Sequence, residues 1–288
     1  MKILLTGAGG QIARALIASV PPGKDLTALS RQQLDIGDER AVQAAVGDYA
    51  PDVIINGAAY TAVDRAEQDS AAAYRGNADG PRYLATAALR HGARLLHIST
   101  DFVFDGKSSS PYTPDAPTHP LNVYGASKRA GEEQVLRLLP ERVLILRTAW
   151  IYAAEGGNFL RTMLRLMNAN RAVRVVADQV GTPTAARSVA GVLWKLVDRP
   201  EYVGVHHWTD AGVASWYDFA VAIAEESSAR GLLPRDVSVT PIATAEYPTA
   251  ARRPTYSVLD KSSLAALGVT ATHWRAAVRA VLEELVHA

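Results

Sequence analysis

Two residues whose types and spacing could do chemistry, Tyr124 and Lys128, lie at the start of a predicted helix that follows a proline-rich loop. Positions four apart share one face of a helix, so both side chains can point into the same cleft. An ammonium group beside a phenol favours the phenolate and lowers the pKa of the tyrosine. Such a tyrosine can give a proton to a carbonyl oxygen while hydride arrives at carbon. The alternative is a surface tyrosine and lysine at a helix start.

The glycine-rich stretch TGAGGQIA joins the first predicted strand to the first predicted helix. Gly7 permits a sharp turn, Gly10 lets the backbone approach a pyrophosphate, and Ala13 lets the helix pack closely on the sheet. The free N–H groups of the helix start favour an anion. A tight turn without a ligand is the alternative, but the position within an α/β pattern favours a dinucleotide. The predicted phosphate-binding residues are Gly7, Gly10, Gln11 and Ile12.

The end of the second predicted strand, ALSRQQLD, indicates which dinucleotide is preferred. An acidic residue there would accept hydrogen bonds from the ribose 2′-OH of NAD. Ser30 and Arg31 suit a 2′-phosphate instead, so NADPH is predicted in preference to NADH; the alternative for Arg31 is a solvated loop charge. Asp35 could accept the adenine amino group, and Ile36 could cover the ring. The small residues of the stretch NGAAY leave room for the cofactor at the end of the next strand. Ala58, Ala59 and Tyr60 are therefore also predicted to bind the cofactor.

Short apolar runs alternate with helical patterns through the first half of the chain, as in KILLT followed by QIARALIASV. This alternation predicts an α/β fold with a doubly wound parallel Rossmann sheet, because parallel strands need helical crossovers. The rhythm changes after Trp150, and a helix is predicted to start at Ser215. We therefore predict a dinucleotide-binding domain over 1–150 and about 182–204, and a smaller α/β substrate-binding domain over 151–181 and 205–288.

The composition restricts the classes of function. The chain has 288 residues, a formal net charge of +1 and no cysteine, which excludes disulfides and cysteine nucleophiles. Its basic residues are scattered, so neither nucleic acid nor a membrane surface is indicated as a partner, and no apolar run reaches the ~20 residues of a membrane span. A cytoplasmic location is predicted. His206 and His207, adjacent on a predicted strand, face opposite ways and are not expected to share a metal ion.

Several longer stretches carry a resemblance that covers almost the whole chain. They are PDVIINGAAYTAVDRAE, STDFVFDG, PLNVYGASKRAGE, RTAWIYAAEGGNF, DQVGTPT, SWYDFA and ARRPTYSVLD. Together with the glycine turn, they resemble the dTDP-4-dehydrorhamnose reductase family of the extended short-chain dehydrogenase/reductase superfamily. The resemblance implies that NADPH reduces the 4-keto group of dTDP-6-deoxy-L-lyxo-4-hexulose, giving dTDP-L-rhamnose for cell-wall polysaccharide. It implies Tyr124 as proton donor, Lys128 as its tuning group and nicotinamide-ribose ligand, and Thr100 as the group that polarises the carbonyl.

The same resemblance implies a substrate cleft. Similar sugar-nucleotide dehydratases place Asp and Glu after the threonine, whereas Asp101 is followed here by Phe102, so reduction is favoured over elimination. For Trp150 and Phe159 the alternative is core packing, and for Arg253 it is a surface salt bridge. The complete set of implied substrate-binding residues is Thr61, Val63, Thr100, Asp101, Phe102, Tyr124, Trp150, Asn158, Phe159, Gln179 and Arg253.

The metal-linked dimer known among the resembling enzymes is not expected. Its Mg²⁺ is bridged by two glutamates, and this chain has Ala15 and Arg187 at those stations. An alanine supplies no oxygen ligand and an arginine repels the cation, so we predict no metal site and a monomer or weak homodimer. Two other functions stay open. One is a non-catalytic NADP-binding regulator similar to the regulatory subunit of methionine adenosyltransferase, and the other is a related sugar-nucleotide ketoreductase or epimerase.

Overall fold

The computed structural model describes residues 1–233 and 236–286 of the chain. Its strands are β1 (Lys2–Thr6), β2 (Asp25–Leu29), β3 (Val53–Asn56), β4 (Arg94–Thr100), β5 (Val143–Thr148), β6 (Ile151–Tyr152), β7 (Ala172–Val176), β8 (Val180–Gly181), β9 (Thr184–Ala185), β10 (Gly204–His207), β11 (Ala214–Ser215) and β12 (Ser238–Ile242).

Its helices are α1 (Gln11–Ala18), α2 (Glu39–Tyr49), α3 (Val63–Ala66), α4 (Ser70–Tyr74), α5 (Gly80–His91), α6 (Val123–Leu138), α7 (Phe159–Ala169), α8 (Ala186–Val197), α9 (Trp216–Ser228) and α10 (Trp274–Val286). A π-helical stretch (Arg75–Asp79) joins α4 to α5, and 3₁₀ turns cover Asp101–Val103, Thr244–Glu246 and Ser262–Leu267.

The central sheet has six parallel strands in the order β10-β5-β4-β3-β1-β2. The strand order reverses at β1, since β2 lies on one side of it and β3 on the other. Ligands of open α/β sheets bind in the crevice at such a switch point, outside the carboxyl ends of the strands. The predicted doubly wound parallel sheet is therefore confirmed, and the glycine turn after β1 lies at its switch point.

Both faces of the sheet are buried under helices. Ile3 and Leu5 of β1 pack into one core with α1 and α8, whereas Leu4 packs into the opposite core with α2, α5 and α6. Successive side chains of a strand point to opposite faces, so a strand that is covered on both sides must be apolar at every position. This explains why the first strand reads as a continuous apolar run.

The second part of the chain builds a smaller α/β unit around α7, α9 and α10. Its core includes Met163, Phe219 and Val278, all buried. β7 pairs in parallel with β12, and β8 pairs antiparallel with β11. As predicted, α9 begins at Ser215: its side chain accepts a hydrogen bond from the backbone N–H of Asp218, whose carboxylate accepts one from the Ser215 N–H.

The predicted boundary at residue 205 needs correction. β10 pairs with β5 and so belongs to the central sheet, although residues 205–288 were assigned to the smaller unit. The turn Ser262–Leu267 also packs on the central core through Leu264 and Leu267, and Ser263 is hydrogen bonded to His206 at 3.1 Å. Pairing between segments so distant in sequence leaves no local signal. The rest of the division stays a prediction.

Candidate active site

The glycine turn brings two strand ends into direct contact. Gly7 has a φ of 74°, and a Cβ atom there would lie 2.7 Å from the Cα and N atoms of Ala58. Only glycine fits both the backbone conformation and the close approach. Gly10 precedes α1 and makes no side-chain cap, so the first-turn N–H groups of α1 have no such partner. The turn therefore offers a backbone cradle for an anion at the positive end of a helix dipole.

A cavity of about 440 Å³ lies at this switch point. It is lined by Gly7, Gly9, Gly10, Ser30, Arg31, Gln32, Leu34, Asp35, Ile36, Gly57, Ala58, Ala59, Tyr60, Thr61, Ala72, Arg75 and Gly76. Most of the predicted cofactor-binding residues are in this set, and Thr61, expected at the substrate, is there too. Gln11, Ile12, Tyr124 and Lys128 are not part of this lining.

Arg75 is a cavity residue that the sequence did not single out. Its Nη2 donates to Asp35 Oδ2 at 2.8 Å, while the other carboxylate oxygen accepts the backbone N–H of Gly37 at 3.0 Å. Arg75 reaches the site from the π-helical stretch, which sequence periodicity does not reveal. π-Helical turns are frequent at functional sites, which is the one signal that could have drawn attention to it. Arg31, nearby, is exposed and makes no ion pair within the described residues.

The catalytic-type residues are placed by the first turn of α6. Asn122 caps this helix by accepting the N–H of Gly125 at 2.7 Å, and Tyr124 and Lys128 are both buried on its inner face. The Lys128 ammonium donates to the carbonyl oxygen of Ile98, in β4, at 2.8 Å. The helix thus presents the phenol and the ammonium to the carboxyl end of β4, where Thr100 lies.

Tyr60 connects Tyr124 with the cavity. It lines the cavity and also packs in a small cluster with Tyr124, Val63 and Phe102. Its backbone N–H donates to Asn77 Oδ1 at 2.8 Å, and its carbonyl accepts from Asn77 Nδ2 at 3.0 Å. Tyr124 therefore lies behind one wall of the cavity, at the end that faces β4.

Burial, rather than a neighbouring charge, controls the pKa of Tyr124. The pKa of Tyr124 is raised to about 12, mainly by desolvation; a hydrogen bond with Thr100 lowers it and the Asp101 charge raises it, each by less. The expected lowering by Lys128 is therefore wrong for this structure, because the ammonium is directed at the Ile98 carbonyl. The pKa of Lys128 is itself lowered to about 8 by burial, partly offset by Glu132. A raised pKa keeps the phenol protonated, as a proton donor must be.

Thr100 and Asp101 form a second polar pair at the same strand end. The Thr100 hydroxyl donates to Asp101 Oδ1 at 3.0 Å and accepts the backbone N–H of Phe102 at 3.2 Å. Asp101 is buried, and desolvation raises its pKa to about 6, opposed by hydrogen bonds from Ser257 and Thr100. The pair places one hydroxyl and one carboxyl group at the carboxyl end of β4, although neither residue lines the cavity at the glycine turn.

A second cavity, of about 430 Å³, lies on the smaller unit. It is lined by Phe159, Thr162, Met163, Leu166, Arg174, Val175, Val176, Gln179, Trp216, Tyr247, Thr249 and Arg253. Phe159, Gln179 and Arg253 were expected at the substrate. The Trp216 indole is one wall, and its Nε1 donates to Gln179 Oε1 at 3.2 Å. Aromatic walls with a few fixed polar groups are typical of a site for a ring-bearing ligand.

Trp150 supports this wall from behind rather than lining the cavity itself. Its ring stacks on Trp216 with centroids 3.6 Å apart and an interplanar angle of 5°. Its backbone has a φ of 51°, which is rare outside glycine and indicates a position that the surrounding structure enforces. A Cβ atom at Gly181, in β8, would lie 2.6 Å from the Trp150 ring, so this position requires glycine.

Asn158 and Arg253 already have protein partners. Asn158 caps α7 by accepting the N–H of Arg161 at 3.0 Å, and its amide donates to Gln11 Oε1 at 2.8 Å. Arg253 pairs with Asp64 at 2.7 Å, so the salt bridge considered as its alternative is present, although Arg253 also lines the second cavity. Gln11 and Asn158 therefore tie the glycine turn to the smaller unit.

The other sequence candidates form structural contacts. His206 is hydrogen bonded to Ser263, while His207 Nδ1–H donates to the Tyr112 carbonyl oxygen at 3.1 Å. Arg187 pairs with Glu284 at 2.9 Å. Within residues 1–233 and 236–286, no three His, Asp or Glu side chains are grouped so that they could hold a metal ion. Among the helices that the structure describes, none has the length and apolar character needed to cross a membrane.

Comparison with known proteins gives a consistent result over the full length. The family model described as the RmlD substrate binding domain matches residues 1–287. The chain is 43% identical to a dTDP-4-dehydrorhamnose reductase of Aggregatibacter actinomycetemcomitans, over 96% of this chain and 97% of the relative. It is 40% identical to a probable dTDP-4,6-dihydroxy-2-methyloxan-3-one 4-ketoreductase of Streptomyces antibioticus, over 100% of this chain and 97% of the relative.

The fold is similar to that of a solved reductase. The crystal structure of dTDP-4-dehydrorhamnose reductase from Bacillus anthracis str. Ames, in complex with NADP, has a TM-score of 0.93 and 36% sequence identity. The alignment covers 98% of this chain and 99% of that one. Both the sequence relatives and this structure therefore match the two units together, not the dinucleotide-binding unit alone.

Proposed function

The chain belongs to the RmlD substrate binding domain family, and on that premise we propose that it is an NADPH-dependent dTDP-4-dehydrorhamnose reductase. It reduces the 4-keto group of dTDP-4-dehydro-6-deoxy-L-mannose and so forms dTDP-L-rhamnose. The carbonyl carbon gains a hydride, the carbonyl oxygen gains a proton, and the cofactor is left oxidised. The recognised family, the NADP-containing relative and the sugar-nucleotide names of the relatives all support this assignment.

One observation carries the proposal most directly. The tyrosine and lysine pair lies behind the Tyr60 wall of a cavity that a glycine turn opens at the switch point of a parallel sheet. A dinucleotide in such a crevice places its reactive end beside the strand ends, and Thr100 and Tyr124 lie at the end of β4. The arrangement supplies an acid and a hydrogen-bond donor where a ketone would meet the cofactor.

Each catalytic residue has a distinct part in this proposal. When bound, NADPH supplies the hydride. Tyr124, whose pKa burial raises to about 12, remains a neutral phenol until it gives its proton to the carbonyl oxygen. Thr100 holds the same oxygen by a hydrogen bond, and Lys128 binds the nicotinamide ribose. Phe102 follows Asp101 in place of a glutamate, so the site lacks the second carboxylate that the elimination chemistry of the dehydratases uses.

The residues of the cavity fit a phosphorylated dinucleotide. Gly7 and Gly10 leave space for the pyrophosphate against the N–H groups of α1, and Ala58 and Ala59 leave space beside the next strand. Arg31 and Ser30 are placed for a 2′-phosphate, and Arg75 adds a second guanidinium at the same end. The same cavity would accept NADH more weakly, because these groups would then lack their anionic partner.

The second cavity is proposed to hold the nucleotide half of the substrate. Trp216 and Phe159 give it flat apolar walls, Gln179 can hydrogen bond a base, and Arg253 can bind a diphosphate. The sugar would then extend toward Thr61, Val63 and Trp150, with the 4-keto group near Tyr124. The chain acts in the cytoplasm, as a monomer or weak homodimer. Arg187, which has the place of one of the bridging glutamates, pairs with Glu284 of the same chain.

A related 4-ketoreductase with a different sugar is the second candidate, and the Streptomyces antibioticus relative favours it. Its chemistry would use the same groups, since only the sugar contacts differ. A regulatory NADP-binding subunit has no comparable match over the full chain among the relatives described above. Turnover therefore separates the regulator from both enzymes, and the choice of sugar nucleotide separates the enzymes from each other.

The decisive experiment is a coupled assay that generates the 4-keto-6-deoxy sugar nucleotide and follows NADPH absorbance. The protein should oxidise NADPH only in the presence of that substrate and should produce dTDP-L-rhamnose. Parallel reactions with other 4-keto dTDP sugars test the second candidate. Absence of NADPH oxidation with every sugar nucleotide, from protein that binds NADPH, would leave the regulator as the better assignment.

A further inference from the structure

Asp64 forms a bidentate ion pair with Arg253, a residue that lines the second cavity. Arg253 Nη2 donates to Asp64 Oδ2 at 2.7 Å, and Nη1 donates to Oδ1 at 3.2 Å. Asp64 lies in α3, directly after the central strand β3, whereas Arg253 comes 189 residues later. Asp64 is not among the residues assigned above to the cofactor or the substrate.

The pair with Asp64 uses the edge of the guanidinium formed by Nη1 and Nη2 and leaves the edge formed by Nε and Nη2 available. Nη1 also donates to Thr249 Oγ1 at 2.6 Å and to the Ala251 carbonyl at 3.2 Å, so its two hydrogens are engaged. A guanidinium carries five N–H donors in a rigid fork, and the edge formed by Nε and Nη2 matches two oxygens of a phosphate. Within the described residues, no bond of Arg253 Nε is found, and Arg253 lines the cavity. The free edge can therefore bind an anion without breaking the pair.

The backbone around Arg253 is held partly by Asp64, whose Oδ1 accepts the N–H of Ala251 at 3.0 Å, and partly by contacts that do not involve Asp64. The Arg252 carbonyl accepts Asn122 Nδ2 at 2.7 Å, and the Thr255 carbonyl accepts the N–H of Val180 at 2.8 Å. The Thr255 hydroxyl donates to the Gly106 carbonyl at 2.9 Å. Removal of the Asp64 carboxylate should therefore release the Arg253 side chain and the Ala251 N–H, while the contacts of Arg252 and Thr255 continue to hold the segment.

We propose that Asp64 is a positioning residue of the substrate site, which holds Arg253 so that its free edge faces the diphosphate of the sugar nucleotide. The inference rests on the proposed function. Asp64 itself contacts no substrate in this proposal. The negative charge of Asp64 opposes the binding of an anion. A guanidinium that is already fixed, however, loses less conformational freedom when the anion binds, and we propose that this orienting effect dominates.

The experiment compares the binding of dTDP and of thymidine to wild-type protein and to Asp64→Ala by titration calorimetry. The variant should bind dTDP roughly 10-fold more weakly, as expected for one weakened charge-assisted contact, and should bind thymidine unchanged. With the full substrate, KM should rise by a similar factor while kcat at saturation and the KM for NADPH stay within about 2-fold. Asp64→Glu, which keeps a carboxylate, should recover part of the affinity.

Glu284→Gln is the matched control, because it removes a carboxylate from another exposed arginine pair, at 2.9 Å from Arg187. It should leave dTDP binding unchanged. Unchanged or tighter dTDP binding by Asp64→Ala would overturn the positioning role and leave the reductase assignment intact. Equal weakening of thymidine and dTDP would also overturn it, since the cavity itself would then have changed. Wild-type protein that binds no dTDP would overturn both this inference and the proposed function.

Discussion

Gly125 lies so close to Phe102 that a Cβ atom on the glycine would be 2.2 Å from the carbonyl oxygen of the phenylalanine. Real Cβ atoms do not approach a backbone oxygen at this distance, so α6 can reach the end of β4 only with glycine here. The contact brings Tyr124, the preceding residue, beside Thr100. The glycine of the Tyr-Gly pair is therefore part of how the acid and the hydroxyl are brought together.

Gly125→Ala should lower both stability and turnover. The added methyl group forces the helix away from β4, and such overpacking costs about 1–3 kcal/mol, occasionally more. Chemical denaturation should show the loss of stability, and kcat should fall because Tyr124 moves with the helix. Gly191→Ala is the control: a Cβ atom at Gly191, in α8, meets nothing within 4 Å and should not destabilise the fold. Equal stability of the two variants would contradict the tight contact.

Tyr124→Phe should fold and bind NADPH but lose most of its turnover. Only the hydroxyl is removed, and general acid catalysis is typically worth about 10² to 10⁴-fold. The measurement is kcat in the coupled assay, with NADPH affinity determined separately by fluorescence titration. A variant with wild-type kcat would exclude Tyr124 as the proton donor.

The rate should depend on pH through Lys128. Burial lowers its pKa to about 8, so the ammonium is lost as pH rises through that value. Because the positive charge is proposed to bind the ribose, kcat/KM should fall above about pH 8. Lys128→Arg keeps its charge at higher pH and should move the falling limb upward, with a reduced maximum, whereas Lys128→Met should be slow throughout. An unmoved limb in the arginine variant would assign the titration to another group.

Asp101→Asn should stabilise the protein, and more so at neutral than at acidic pH. The pKa of Asp101 is raised from 3.8 to about 6 by burial. Between these values the folded state holds a proton that the unfolded state has lost, so stability falls as pH rises, and the penalty is complete above about 6. A pKa difference of this size corresponds to at most about 3 kcal/mol in the free energy of unfolding. Thermal melts of both proteins across this window check the sign; a constant difference would contradict the raised pKa.

Arg31→Ala should discriminate between the two nicotinamide cofactors. Loss of a charge-assisted hydrogen bond to a 2′-phosphate costs about 1.5–3 kcal/mol, which is roughly 10-fold to 100-fold in the Kd of NADPH. NADH lacks that phosphate, so its Kd should change little. Arg40→Ala, at an exposed arginine of α2, provides a control for net charge. Equal weakening of both cofactors by Arg31→Ala would remove the 2′-phosphate contact.

Features that depend on residues close together in the sequence could be predicted from the sequence. Apolar runs alternating with amphipathic helices specify a parallel sheet, because no other arrangement buries both faces of such strands. The glycine turn and the cap residue Ser215 satisfy local backbone requirements. Tyr124 and Lys128 share a face because of helical geometry alone. The fold class and most of the cofactor cavity could therefore be read from the chain.

Only the tertiary structure decided which distant groups meet and how deeply they are buried. Arg253 pairs with Asp64, 189 residues away in the sequence, and Asn158 donates to Gln11, 147 residues away. β10 joins the central sheet by pairing with the distant strand β5. The pKa of Tyr124 rises instead of falling, because desolvation depends on every segment packed around the phenol. Pair energies and desolvation are set by three-dimensional neighbours, and local spacing carries no record of them.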